Sequence, residues 1–432
     1  MSTLGFSSIA TGVSSGGALA QLVCVGNCDS ALTSKPEVTF WKLKVDRCSN
    51  FALESVCQSF NGNCMYGGEQ QLTLNRTGDL VYKQYLVAEL PAIEAAEDDD
   101  SSRYIVAPTG SDDRTANWVN EVGHVLIRRM SFAIGGQQID AIYPAYMHAY
   151  EELTGKAGKR LGEMIGKYAD RAECIAKSAT KQRLYIPLIF YYNGASGRAL
   201  PLVALQFHSV TYHVTFESLH NLIQVSHPVK VRNVDTGAYM TNSDLNAYLD
   251  TQYVYLDLDE RDRFNNQEFS QLIHQTQTWA CMNHDSSSYI RANLNFNHPT
   301  VELIWMLQDE TAKAAGDHFD FSIDGADPLA VAKLSINSLP RFQREAAWFR
   351  TVQPYIHHTN VPSGKIYTYS FALHPESEQP SASLNFSRVD TAELMLELAP
   401  EATGKKLTLM VFARSWNILK YRKGLAGVQF SN

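Results

Sequence analysis

Residues 364–398 read GKIYTYSFALHPESEQPSASLNFSRVDTAELMLEL, and this stretch is the best local guide to the fold of the 432-residue chain. In its first part, Tyr367, Tyr369 and Phe371 recur at every second position and share one face of an extended segment. Its last part, residues 392–398, alternates leucine with other residues in the same way. A proline-bearing loop separates the two parts, so the pattern predicts a β-hairpin. No catalytic nucleophile, base or phosphate-binding loop accompanies it, which favours a structural role.

The composition extends this prediction to the whole chain. The sequence is 45% hydrophobic, and its 21 Tyr and 19 Phe favour β structure. The length favours two domains, and the net charge of −8 argues against a protein that coats nucleic acid. No segment reaches the roughly 20 uninterrupted apolar residues of a membrane-spanning helix.

Many short strand-like segments separated by turn residues predict two β-rich halves. An acidic stretch from Glu94 to Asp100 is predicted to be a solvated loop. Residues from Tyr143 to Asp170 have a helical pattern with scattered basic residues, typical of a surface helix, with a phosphate or partner site as the alternative. The order strand, turn, helix, strand, loop, strand occurs in both halves, and residues 184–216 are the predicted counterpart of residues 366–398.

Five of the seven cysteines fall in the first part of the chain: Cys24, Cys28, Cys48, Cys57 and Cys64. Free thiols in a reducing compartment, disulfides formed after release from the cell, and a zinc site are three alternatives. Cys24 and Cys28 lack the second tight pair that a zinc site usually has.

Residues that could carry catalysis are better explained by structure. His357 and His358 are adjacent, so on a strand they would face opposite sides and could not share a metal. Glu376 and Glu378 lie among other charges, where solvation explains them. No nucleophile elbow and no phosphate-binding loop occurs in the sequence. We therefore expect no enzymatic activity, no cofactor and no metal.

An ordered series of motifs resembles the major capsid proteins of nucleocytoplasmic large DNA viruses. The series spans about residues 30–415, whereas the cysteine cluster and Val45-Asp46 depart from the family pattern. The matching segments are Leu32–Lys42, Ser49–Glu54, Asn75–Leu80, Gly123–Ile127, Ile134–Asp140, Leu184–Leu188, Ala199–Gln206, Tyr255–Arg261, Leu294–Thr300, Val352–Tyr355 and residues 364–398.

This resemblance implies an all-β chain of two consecutive eight-stranded jelly-roll barrels with short helices in the loops. We expect an N-terminal arm at residues 1–27, a first jelly roll at 28–220 and a second at 221–432. The resemblance also implies a homotrimer that forms a pseudo-hexagonal capsomer of an icosahedral double-stranded DNA virus. The expected partners are further copies of the chain, minor capsid proteins beneath the shell and, indirectly, an internal membrane, without direct nucleic-acid binding. The expected location is the virion, assembled in the cytoplasm of the infected cell.

The resemblance assigns structural roles to the motif residues and not to a catalytic site. They are Pro36, Phe40, Asn50, Phe51, Gly78, Asp79, Asn295, His298, Pro299, Gln379, Pro380, Asn385 and Arg388. Asp79 and Arg388 are expected to pair or to hydrogen-bond to loop backbone, with an exposed charge as the alternative. The arm is expected to face the shell interior, and the loops at 94–115 and 283–289 to supply outward surface.

Two alternatives to a major capsid protein remain at this point. One is a minor capsid or scaffold paralogue, such as the double jelly roll that templates immature poxvirus membranes. The other, from a different class, is a monomeric jelly roll that binds or cleaves carbohydrate, which would need paired carboxylates or an aromatic platform in a groove.

Overall fold

A computed structural model describes residues 24–37, 40–41, 47–96, 115–156, 158–159, 161–225, 230–283 and 287–431. The chain divides into two units, residues 1–50 and 51–432. Within the first unit, helix α1 (Asn27–Thr33) begins where the Gly26 N–H donates to Asp29 Oδ2 at 3.0 Å. Most of the predicted arm, residues 1–23, lies outside the described residues.

Eight antiparallel strands form the first jelly roll. Their order is β1-β8-β3-β6 in one sheet and β2-β7-β4-β5 in the other. The strands are β1 (Phe51–Ser59), β2 (Glu69–Thr73), β3 (Leu80–Leu90), β4 (Ile127–Ile134), β5 (Gln137–Ile142), β6 (Gln182–Pro187), β7 (Val210–Phe216) and β8 (Asn246–Leu256).

Eight further strands form the second jelly roll in the same arrangement. Their order is β9-β16-β11-β14 in one sheet and β10-β15-β12-β13 in the other, so each strand occupies the place of the strand numbered eight lower. The all-β double jelly-roll prediction is confirmed. The strands are β9 (Phe269–Asn283), β10 (Tyr289–Asn293), β11 (Pro299–Asp309), β12 (Leu329–Ile336), β13 (Leu339–Glu345), β14 (Tyr367–Ser370), β15 (Ala392–Leu398) and β16 (Leu407–Arg422).

Shorter elements occupy the connections. The helices are α2 (Val122–Leu126), α3 (Pro144–Thr154), α4 (Gly162–Ile165), α5 (Arg171–Ser178), α6 (Leu219–Leu222), α7 (Leu258–Asn266), α8 (Glu310–Ala314) and α9 (Gln353–His357), with a π-helical turn at Trp348–Val352. The short strands are Ile93–Ala95, Ala116–Trp118, Leu200–Pro201, Ile223–Val225, Val231–Asn233, Leu384–Asn385 and Leu425–Val428. No helix of the described ranges is long and apolar enough to cross a membrane.

The predicted hairpin at residues 364–398 is wrong. β14 pairs with β11, where Tyr367 lies opposite Trp305, whereas β15 pairs with β10 and β12 in the other sheet. The connection therefore crosses from one sheet to the other. The alternation did predict the buried faces, since Tyr367, Leu394 and Leu396 are all buried in the same core. It could not specify the pairing partner, because both sheets bury their apolar face in that core.

The predicted boundary between residues 220 and 221 falls inside the first jelly roll. β8, which the sequence placed in the second half, lies between β1 and β3 and pairs with both. Helix α7 follows directly and begins where Asp257 accepts from the Leu258 N–H at 2.8 Å. We therefore propose that the two jelly rolls meet within residues 257–268.

Each barrel encloses its own aromatic core. In the first, Phe132 packs edge to face on Phe190 with ring centroids 4.8 Å apart. In the second, Trp305 packs on Phe349 at 5.1 Å and stacks on Tyr367 at 6.0 Å. Side chains of this size contribute about 1.5–3 kcal/mol each when fully buried.

Candidate assembly interface

The two barrels meet first along one strand from each. β5 of the first barrel lies against β9 of the second, where Gln275 Nε2 donates to the Ile139 carbonyl at 2.6 Å. The Thr276 N–H donates to Asp140 Oδ1 at 2.9 Å. Burial raises the pKa of the Asp140 carboxyl to about 7, although backbone donors and Arg414 oppose the rise. The edge of the first barrel is therefore covered by the second.

Helix α3 makes the second part of the contact. It begins at Pro144, a residue that suits a first helical turn, and it lies on the outer face of the β9-β16-β11-β14 sheet. Tyr146 packs on Phe412 with ring centroids 5.4 Å apart, and Ile304 and Met306 complete this apolar contact. These residues are buried, so the contact is part of the folded chain and not an optional association.

A buried carboxylate organises the polar contacts of the first barrel near this interface. Glu121 Oε2 lies 2.8 Å from His148 Nδ1 and 3.3 Å from His124 Nδ1, and Glu121 Oε1 lies 2.7 Å from Lys167 Nζ. Burial alone would raise the pKa of Glu121, but His148, His124 and Lys167 hold it well below its usual value. From the second barrel, Phe319 stacks on the His148 ring at 4.6 Å.

The second barrel has a buried cluster of opposite polarity. His358 Nδ1 lies 3.2 Å from Glu376 Oε1, and its Nε2 forms an ion pair with Glu302 Oε2 at 3.2 Å. Burial opposes the charge, but the two carboxylates raise the pKa of His358 to about 9. Arg414 Nη1 lies 3.6 Å from Glu302 Oε1, so the cluster ties β11, β16 and the residues after α9 together.

A cavity of about 1110 Å³ lies between the barrels and is lined from both sides. Its wall includes Glu151 and Lys167 of the first barrel and Glu376 and Arg414 of the second. Charges of both signs line it, including the ion pair of Lys167 with Glu152. The lining combines these charged side chains with aromatic rings such as Tyr150, Phe190 and Tyr191.

The surfaces that pair within the chain have open counterparts. β13, which occupies the place of β5, is exposed along nearly its whole length. On α9, which follows β13 as α3 follows β5, Tyr355 is 80% exposed and Ile356 is 59% exposed. β1, which occupies the place of β9, exposes Phe51 and Leu53 by about half. The contact between β5 with α3 and β9 with its sheet is therefore formed once, within the chain. The equivalent surfaces, β13 with α9 on one side and β1 on the other, are exposed. We call this arrangement the half-used interface.

The outer sheet face of the first barrel is partly exposed: Tyr185 is 38% exposed, whereas Val87 is buried. Tyr248, Val87 and Tyr185 lie opposite one another across β8, β3 and β6. The equivalent face of the second barrel carries Ile304 and Phe412 under helix α3. Tyrosine suits a surface that is wet before association and covered afterwards, because its ring is apolar and its hydroxyl is polar.

Gly78 and Asp79, two of the predicted motif residues, specify the turn before β3 in the first barrel. A Cβ on Gly78 would lie 2.7 Å from Tyr253 Cβ, so only glycine fits there. Asp79 Oδ2 accepts from the Leu256 N–H at 2.9 Å, and its Oδ1 pairs with Arg261 Nε at 3.1 Å. Asp79 is therefore bound to the backbone at the end of β8 and to Arg261, not to Arg388.

In the second barrel, His298 takes the left-handed conformation, with φ 67°, just before β11. Its N–H donates to Ser387 Oγ at 2.8 Å, and Pro299 opens the strand, a position at which proline is tolerated. Asn385 Oδ1 accepts from the Ser387 N–H at 3.0 Å and closes the next turn. Gly78-Asp79 and His298-Pro299 thus shape the turns that precede the third strand of each barrel.

The remaining motif residues lie on the surface. Phe51 begins β1 opposite Leu256. The other exposed positions are Pro36, Phe40, Asn50, Asn295, Gln379, Pro380 and Arg388. Most of the two loops expected to face outward, residues 97–114 and 284–286, lies outside the described residues.

All seven cysteines are free thiols in the structure. Cys64 is buried and lies 3.5 Å from the Ala247 carbonyl, whereas Cys24, Cys28, Cys48 and Cys57 are exposed. Disulfide formation after release from the cell stays a prediction.

Sequence reasoning missed the residues that organise both polar clusters. Lys167 was predicted on a basic surface helix, but its ammonium group holds Glu121 and Glu152, each at 2.7 Å. His358 was set aside as a metal ligand because His357 is adjacent, yet it joins two carboxylates far away in the sequence. No helix spacing marked Glu121, because it precedes α2 in the left-handed conformation.

The fold defines a class of protein, the double jelly rolls. Residues 39–257 match the family model of the major capsid protein N-terminus, and residues 260–427 match that of the large eukaryotic DNA virus major capsid protein. The chain therefore belongs to the major capsid protein family of large eukaryotic DNA viruses. It is a structural capsid protein, as the resemblance in the sequence implied.

Individual relatives agree with this assignment. The chain is 34% identical to the major capsid protein of Pyramimonas orientalis virus, over 96% of this chain and 100% of the relative. It is 30% identical to that of Paramecium bursaria Chlorella virus 1, over 96% of this chain and 100% of the relative. Among solved structures, the PBCV-1 virus capsid quasi-atomic model matches with a TM-score of 0.73 and 26% identity, over 91% of this chain and 100% of that one. The faustovirus major capsid protein has the same fold, with a TM-score of 0.72 and 12% identity, over 92% and 94% of the two chains.

Proposed function

We propose that three copies of the chain form a pseudo-hexagonal capsomer, and that capsomers tile an icosahedral viral shell. The observation that carries this proposal is the half-used interface. β5 and α3 of the first barrel cover β9 and the outer sheet of the second. The matching surfaces, β13 and α9 on one side and β1 with its sheet on the other, remain open.

The two open surfaces are different from each other, so a second copy must bind head to tail. Such a contact either closes into a ring or continues as a filament. The capsid resemblance favours closure after three chains, which gives a ring of six similar barrels. An obligate contact of this kind buries more than about 2,000 Å².

Weaker contacts between capsomers are sufficient for the shell, since each capsomer makes many of them at once. Contacts of the arm at residues 1–27 with minor capsid proteins beneath the shell, and indirectly with an internal membrane, belong to this proposal. So do assembly in the cytoplasm of the infected cell and the absence of a catalytic role. These points rest on the family resemblance.

Native mass spectrometry of the purified protein tests the proposal. We expect particles of three times the chain mass. The double substitution Tyr355→Asp with Ile356→Asp places two charges on α9, where both side chains are exposed, and should give monomers with an unchanged far-UV spectrum.

Val234→Asp is the matched control, because Val234 is 44% exposed in a loop at the end of the first barrel. It should leave the trimer intact. A monodisperse wild-type monomer, or trimers that survive the α9 substitutions, would overturn the proposal.

A further inference from the structure

Two helices of the first barrel present metal-ligand side chains to each other. Glu121 is the residue before α2 and takes the left-handed conformation, with φ 54°, whereas His124 lies on α2. His148 and Glu151 lie three residues apart on α3, so they share one face of that helix.

The donor atoms already converge. His148 Nδ1 and His124 Nδ1 lie 2.8 and 3.3 Å from the same atom, Glu121 Oε2. One donor atom each from Glu121, His124 and Glu151 lies within 4.8 Å of the others. In a tetrahedral site with metal–ligand bonds of about 2.0–2.1 Å, neighbouring donors are about 3.3 Å apart. His148 is not part of this group of three, so His148 and Glu151 would both have to move inward to complete such a site.

Glu151 supplies an independent observation. Its Oε2 is inaccessible to solvent and has no hydrogen-bond partner among the described residues, although the residue lines the cavity between the barrels. An unpaired buried carboxylate oxygen is costly, and a bound cation would satisfy it. The other residues of the cluster give this oxygen no donor.

Lys167 is the competing cation, but it occupies a different position. Its ammonium group lies against Glu121 Oε1 and Glu152 Oε1. Glu121 Oε2, the atom shared by both histidines, is left on the opposite side. Lys167 thus forms ion pairs with Glu121 and Glu152, and it acts on Glu151 only through a longer-range electrostatic interaction.

We propose that Glu121, His124, His148 and Glu151 bind one divalent transition metal ion, for which nitrogen and oxygen donors favour Zn²⁺. The ion joins α2 to α3, the helix that holds the second barrel, beneath the Phe319 ring that stacks on His148. Its role is structural, and the sequence, which predicted no metal, did not reveal it.

Co²⁺ is the probe, because four-coordinate Co²⁺ absorbs visible light. The purified capsid protein is stripped with a chelator, and Co²⁺ is then titrated while absorbance and melting temperature are recorded. We expect one ion per chain, a four-coordinate spectrum and a higher melting temperature, with Zn²⁺ displacing Co²⁺. Absence of binding at micromolar protein, or binding that leaves the spectrum six-coordinate, would overturn the proposal.

Glu151→Gln separates metal binding from folding. Its Oε2 makes no hydrogen bond in the described structure, so the metal-free variant should melt no lower than the metal-free wild type. Its affinity for Co²⁺ should fall by about tenfold or more. Glu163→Gln, the same change at an exposed position of α4, is the control and should bind Co²⁺ as the wild type does. Equal affinity of Glu151→Gln and wild type would show that Glu151 is not a ligand and would contradict the site.

Discussion

The two jelly rolls have the same strand order but opposite surroundings. In the first barrel, β5 and α3 are buried and β1 is exposed, whereas in the second barrel, β9 is partly buried and β13 and α9 are exposed. Strand order therefore follows from the fold, which both halves share. The distribution of apolar and polar side chains on the outside depends on which neighbour each barrel meets.

The buried charges differ in the same way. In the first barrel, one carboxylate, Glu121, is surrounded by two imidazoles and an ammonium group. In the second barrel, one imidazole, His358, is surrounded by two carboxylates. Equivalent folds thus stabilise their helical connections with opposite central charges, and the two barrels should respond differently to pH.

The largest expected effect breaks the covered interface. Phe412→Ala removes a buried ring under α3 and should lower the free energy of unfolding by about 3–5 kcal/mol. Tyr355→Ala, on the equivalent open surface, should cost less than about 0.5 kcal/mol in the dissociated chain. Urea denaturation at low protein concentration measures both. If the two variants lose similar amounts of unfolding free energy, then the surface under α3 and the surface of α9 are not the buried and the exposed copy of one interface.

A second prediction concerns the charge at His358. The pKa of His358 in the folded protein, about 9, lies above the roughly 6.5 of an unfolded histidine, so its stabilisation is complete below about pH 6.5. It is lost as the pH rises through 9. The total is on the order of 3 kcal/mol. His358→Gln should remove this decline, measured as unfolding free energy from pH 6 to pH 10.

His357→Gln is the matched control for this measurement. His357 contacts the Leu373 carbonyl and neither carboxylate, so its replacement should keep the pH dependence of the wild type. If His358→Gln and wild type lose stability equally between pH 6 and pH 10, then the imidazole is not charged in the folded chain.

The smallest effect compares the two turns before the third strands. Gly78→Ala places a methyl group 2.7 Å from Tyr253 and should destabilise the chain by about 1–3 kcal/mol. His298→Gly relieves a positive φ at the equivalent turn but also removes a buried imidazole, so the two effects oppose each other and the loss of stability should be smaller than for Gly78→Ala. Thermal melting measures both changes. An unchanged melting temperature for Gly78→Ala would mean that Tyr253 of β8 can move aside.

The sequence predicted the fold class and the buried faces, but not all the pairings. Alternation at residues 392–398 identified the core face of β15, yet strand partners depend on contacts far apart in the sequence. β8 pairs with β1 about 200 residues away, which is why we propose a boundary later than residue 220. β9 was missed because its outer face is covered by the first barrel, so buried polar residues such as His274 and Gln275 disrupt the usual alternation.

The site was less predictable than the fold. Gly78 and Asp79 were identified because a turn motif is local. Glu121 and His148 lie 27 residues apart, and Glu302 and His358 lie 56 apart, so no local pattern marks them as partners. Their proximity is a consequence of the tertiary structure.

An electron cryomicroscopy reconstruction of the purified particle tests the central claim most directly. The account predicts a ring of six barrels from three chains, in which α9 of each chain, with Tyr355 and Ile356, covers the face of Tyr185 and Tyr248 in the next chain. A two-fold dimer, or a ring that leaves α9 and β1 in solvent, would contradict it.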